Sequence, residues 1–135
     1  MDVTQYFQIV STSHKLLHIE LKGFWSDHVV DDMGEEFLLQ FREGIDKLSG
    51  LGKFIALVDM SEFEVLSAKA KNIISKMMDY AGPRGTYKAV EVMPKALTSL
   101  GLKQAAEMAK QSDFRVVVKS LAEGKAVIEK LKQEI

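Results

Sequence analysis

Cysteine is absent from this 135-residue chain, proline occurs twice and tryptophan once. Without cysteine there can be no disulfide staple and no thiolate metal site, so folding has to rest on buried apolar surface. A chain of this length can bury about two-thirds of its unfolded surface, enough for one domain over residues 1–135. No apolar run approaches the roughly twenty residues a membrane span needs. Met1-Asp2-Val3-Thr4-Gln5 has neither the basic start nor the apolar core of a signal peptide, and a cytoplasmic location is expected. A net charge of −1 gives no electrostatic reason to expect nucleic acid or an anionic membrane as partner.

Chemistry-bearing patterns are scarce as well. The three histidines are His14 and His18, which bracket a hairpin, and His28, which opens a helix, so no two share a helix face as a zinc site would require. There is no Gly-x-Ser-x-Gly elbow, and Gly50-Leu51-Gly52-Lys53 precedes a strand where a phosphate loop would have to follow one. No acid, base and nucleophile converge. The expectation is a protein that is not an enzyme, with no catalytic residues, no metal and no cofactor.

What is present is 47% hydrophobic and 27% charged residues, near the globular average. The stretch that organises the rest is Phe54-Ile55-Ala56-Leu57-Val58, a near-continuous apolar run that reads as a central strand buried on both faces and ends at Asp59-Met60-Ser61. Before it, Tyr6–Ser11 and Leu16–Lys22 form a hairpin, the second run alternating Leu17, Ile19, Leu21 against His18, Glu20, Lys22. Ser26 is a good N-cap, with Trp25 and Val30 spaced as a hydrophobic staple. Val30, Met33, Phe37, Phe41, Ile45 and Leu48 then trace one side of a long helix ending near Ser49-Gly50.

Beyond the central run, Ser67 is placed to cap a helix with Ala70, Ile73, Ile74, Met77, Met78 and Ala81 inward, stopped by Gly82-Pro83. Tyr87–Met93 reads as a strand closed by Pro94. The helical stretch carrying Leu97, Leu100, Ala105, Met108 and Ala109 is interrupted by Gly101, which leaves open one helix or a turn followed by a helix. Phe114–Lys119 is a β-branched strand; Ser120-Leu121-Ala122-Glu123 has capping-box spacing before a last helix carrying Val127, Ile128, Leu131 and Ile135. The class is α/β, in the order β-β-α-β-α-β-α-β-α: a mixed five-stranded sheet, mainly parallel with an antiparallel N-terminal hairpin strand. Right-handed crossovers between strands laid down in sequence put the helices mainly on one face. His18, Glu20, Glu91, Arg115 and Lys119 sit at positions a polar second face could use, although one helix or the hairpin could equally cover it.

This order, the strand end Leu57-Val58-Asp59-Met60-Ser61 and the closing run Phe114 to Ala126 resemble the SpoIIAA-like, STAS-type family over nearly all of the chain, from Leu16 to Leu131. In that family's anti-sigma-factor antagonists a strand ending in Asp-Leu-Ser is followed by an Asp-Ser-Ser-Gly helix start whose serine a partner kinase phosphorylates. Here Asp59-Met60-Ser61 matches the strand end, but Ser67-Ala68-Lys69-Ala70 stands at the second motif, so the phosphoacceptor pattern is absent. The resemblance implies a non-enzymatic interaction or regulatory module working through an exposed loop with Asp59, Ser61, Glu62, Phe63, Ser67 and Lys69, its partner another protein or a second copy. The family is also similar in arrangement to CRAL-TRIO-type lipid-binding domains, so the alternative is a carrier of a small apolar ligand or lipid between Met- and Phe-rich helices. Read alone, Asp59 is more simply held by nearby N–H groups, Met60, Met77, Met78 and Met93 fill the core, and Phe24 and Trp25 form a staple.

Charge is unevenly spread: Asp27, Asp31, Asp32, Glu35, Glu36, Glu43 and Asp46 fall in one segment, Lys69, Lys71, Lys76, Arg84 and Lys88 in another. Solvated helix faces are the ordinary reading, and complementary patches used in self-association the other.

Overall fold

The computed structural model describes residues 2–93, 95–109 and 114–135. Five strands form one sheet in the order β1 (Phe7–Ser13), β2 (Leu16–Trp25), β3 (Phe54–Leu66), β4 (Thr86–Val92) and β5 (Arg115–Val118). β1 pairs antiparallel with β2, and the other three pairings are parallel. The helices are α1 (Asp27–Ser49), α2 (Ala68–Ala81), α3 (Ala96–Ala109) and α4 (Leu121–Lys132). The expected α/β class, mixed sheet and element order are all present. Gly101 lies buried inside a continuous α3, which settles the alternative left open at that residue. Pro94 lies outside the described residues.

Local chemistry explains the boundaries. His14 and Lys15 both take positive φ (56° and 64°), as a two-residue hairpin turn between twisted strands requires. The Ser26 side chain accepts the Val29 N–H at the start of α1, while Trp25 and Val30 are both buried in the same core, as a staple would have them. Ser120 accepts the Glu123 N–H, and the Glu123 carboxylate reaches past the cap to accept from Lys119 N–H. That closes the start of α4 in a variant of the capping box.

Because the strands are laid down in order, the crossovers α1, α2 and α3 all advance in one direction, and a common hand puts them on one face. Their core includes Phe7, Leu17, Ile19, Leu21, Val58 and Met60 from the sheet and Met33, Phe37, Phe41, Ile74 and Ala105 from the helices. Trp25, Phe37 and Phe7 meet there edge to face, with ring centroids 5.0–5.1 Å apart. α4 follows the last strand, crosses to nothing, and is free of that rule. It covers the opposite face, where Ile128 packs in a second core with Ile55, Leu57, Val90, Val92 and Val118. The apolar centre of the second face is therefore covered by a helix, and the margin of β1 and β2 is left uncovered.

One expectation about the faces needs correction. Glu91 and Arg115 do not belong to a polar second face: Glu91 is level with Val58, on the side covered by α1 to α3, and is 1% exposed. Arg115 Nε and Nη2 lie 2.7 and 2.6 Å from Glu91 Oε1, a paired charge inside the protein. In strands covered on both sides, alternation says which residues share a face and not which face is wet.

Candidate functional site

The segment expected as an open loop after the central strand is instead strand. β3 runs on to Leu66, and residues 60–66 continue beyond Asp59, the last residue paired with β4, while β2 accompanies them to Trp25. The result is a two-stranded ribbon extending past the body of the sheet. Its register slips between the Glu20–Asp59 and Lys22–Glu62 pairs. The slip lets Met60 and Phe63, three residues apart, both bury in the main core (1% and 0% exposed). Asp59 Oδ1 shapes the slip by accepting the Ser61 N–H at 3.0 Å and the Ser61 hydroxyl at 2.6 Å.

The residues named from the sequence therefore separate by role. Asp59 and Ser61 are bonded to one another and part-buried, and Phe63 is core. Glu62 is exposed on the ribbon. Ser67 lies where β3 gives way to α2, and its Oγ accepts the Ala70 N–H at 3.1 Å as the helix cap. Lys69, in the first turn of α2, is tied back to α1: its backbone N–H donates to Asp27 and its ammonium to Asp31 at 2.7 Å. The hydrogen bond and charge of Asp31 hold the Lys69 ammonium above its ordinary pKa. Glu62 and Lys69 are exposed, Ser67 half-buried, and all three are held by rigid elements.

Phe24, expected to form a staple with Trp25, does not do so. It precedes Trp25 on β2 and so points to the other face: Trp25 is fully buried with its Nε1–H donated to Lys22 and Tyr6 carbonyls, whereas Phe24 is 47% exposed. Alternation puts Phe24 on the same face as Lys22, whose register partner on β3 is Glu62. An exposed aromatic beside charges on a stiff ribbon is the kind of group that anchors protein interfaces. The signal is present in the sequence, since two adjacent strand residues cannot both face the core.

On the second face, a recess of about 240 Å³ lies where α4 meets β2 and β3, lined by Leu16, His18, Leu57, Lys125 and Ile128 among others. His18 Nε2 is enclosed without a hydrogen-bond partner among the described residues. Burial pushes the imidazole below its ordinary 6.5, against the pull of Asp59 and Glu20 and with the push of Lys125. Among the described residues no group of three or more His, Cys, Asp or Glu is placed to hold a metal, and no helix is long and apolar enough to cross a membrane.

Neither the family models nor the curated proteins match this chain. Solved structures do. The structure of the Bacillus cell-fate determinant SpoIIAA in its phosphorylated form matches with a TM-score of 0.54 at 10% identity, over 93% of this chain and 98% of the other. An anti-sigma factor antagonist from Mycobacterium paratuberculosis matches with a TM-score of 0.53 at 11% identity, over 93% and 96%. Agreement along both full lengths at such low identity means that this chain has the SpoIIAA-like fold.

Proposed function

We propose that this protein is a non-enzymatic protein-interaction module, regulatory in the manner of the anti-sigma factor antagonists whose fold it shares, and that its contact surface is the β2–β3 ribbon with the start of α2. The observation that carries the reading is Phe24: a large aromatic half out of the protein, flanked by exposed charge, on a backbone pinned by the fully buried Trp25 and Phe63. Such an anchor loses little conformational freedom when a partner covers it. Glu62, Ser67 and Lys69 supply the polar surroundings; Asp59, Ser61 and Phe63 hold the ribbon's shape.

No phosphorylation switch operates in this reading. Ser67 is engaged as a helix cap and lacks the acidic and serine neighbours of the family's phosphoacceptor. The apolar-carrier alternative is less well supported. The groove between the Phe-rich α1 and the Met-rich α2 is open and lined by Asp31, Glu35, Glu36, Arg42, Lys69 and Lys76, unlike the mostly apolar lining of a ligand pocket, and Met60, Met77, Met78 and Met93 are packed into the main core.

The test is affinity capture from the protein's own cells with wild type, Phe24→Ala and Leu51→Ala, the last an exposed leucine remote from the ribbon (79% exposed). A partner retained by wild type and Leu51→Ala should lose about 30-fold or more in affinity for Phe24→Ala, the scale of an interface hot spot. Equal retention by all three would put the contact surface elsewhere. Intact-mass measurement of the same native preparations should show no phosphorylated fraction, and a phosphate on Ser67 would overturn the switchless reading.

A further inference from the structure

α1 and α2 run side by side in the same direction, joined by the Lys69–Asp31 ion pair near their starts and by the Tyr80 hydroxyl on Asp46 near their ends (2.6 Å). Between them lies an open groove of about 860 Å³. Its lining changes sign along its length. The half nearer the helix starts carries Asp31, Glu35 and Glu36 against the single cation Lys69, a formal −2; the half nearer the helix ends carries Arg42 and Lys76, a formal +2. Near the middle Leu39 is 52% exposed, with buried Leu38 beside it.

A uniformly acidic or basic partner would be attracted by one half of this groove and repelled by the other. A second copy turned end for end meets opposite charge in both halves at once, which is the self-complementarity an isologous two-fold contact requires. Nor does the net charge of −1 set up appreciable repulsion between copies. We propose that the α1–α2 groove is a two-fold interface with a second copy of this chain: the two α1 helices lie antiparallel, Leu39 of each copy enters the apolar middle, and Glu35 faces Lys76 of the partner subunit. By strand alternation Phe24 looks out from the other face of the sheet, so this contact leaves the aromatic anchor free and shares only Lys69 with the proposed partner surface. The tests are separate, since neither Glu35 nor Lys76 belongs to the partner surface and Phe24 does not line the groove.

The experiment is sedimentation equilibrium of the full chain over about 1 to 200 µM with wild type, Glu35→Lys, Lys76→Glu and an equimolar mixture of the two variants. All the substituted side chains are exposed, and circular dichroism and thermal unfolding verify that each variant is folded. Wild type is expected to dimerise, each single variant to dissociate at least tenfold more readily, and the mixture to regain the dimer, because in a mixed pair both new charges face their opposites. A wild type that stays monomeric throughout would overturn the proposal. So would a dimer indifferent to both substitutions, or a mixture that fails to recover.

Discussion

Single residues account for the sharpest energetic expectations. The Glu91–Arg115 pair is enclosed under the helices of the main face, and there burial pushes the Glu91 carboxyl up while the Arg115 guanidinium pulls it back. Removing one partner leaves a charge uncompensated in a medium that solvates it poorly. Arg115→Leu is expected to destabilise the protein by about 3–5 kcal/mol in urea unfolding, and Glu91→Leu added to it to recover most of that loss. If the double variant proves as unstable as the single one, the leucines rather than the stranded carboxylate are at fault. His18 gives a pH dependence of definite sign. Its folded pKa lies below 6.5, so the unfolded chain takes up the proton first, and the stability His18 contributes is complete above 6.5 and is lost as pH falls through that value to the folded one. Thermal midpoints should therefore decline more steeply for wild type than for His18→Gln between about pH 7 and pH 5. Coinciding slopes would mean that His18 titrates alike in both states.

Among the elements, α4 seats tightly on the sheet through Gly124. A Cβ built on Gly124 would stand 3.3 Å from Val92 Cγ2 and 3.4 Å from Val118 Cγ2, so the absence of a side chain sets the distance at which α4 seats on the second face. Gly124→Leu should lift the helix and reduce stability by about 1–3 kcal/mol in urea unfolding. Gly50→Ala, with nothing within 4 Å of its Cβ, should change it by less than about 0.5 kcal/mol. A cost at Gly124 no larger than at Gly50 would show that the close approach there does not set how α4 seats. Most elements were legible in the sequence because their caps and stripes were: Ser26, Ser67 and Ser120 each start the helix they announced. The length of β3 was not. Glu62-Phe63-Glu64 alternates as a strand should, but Asp59-Met60-Ser61 looks like a strand end unless Asp59 is known to bond Ser61 and carry the chain around an irregularity. A slip of register is a tertiary arrangement, and it leaves no periodic trace.

For the molecule as a whole, topology was readable and surface was not. Sequential strands and a common crossover hand are enough to derive a sheet with three helices on one side. Which side α4 would take was undetermined, because no crossover follows it. For the proposed contact surface, the sequence draws attention to the end of the central strand, but the exposed group beside it, Phe24, comes from the neighbouring strand and emerges only when β2 and β3 are laid side by side. The strand order has one more consequence. From β2 onward, each strand's partner is the one made just before it, and the helix between them is already synthesised, so a nascent chain never has to keep an unpaired strand waiting for a mate still inside the ribosome. Assembly can follow the direction of translation, with α4 arriving last to seal the face that growth has left open.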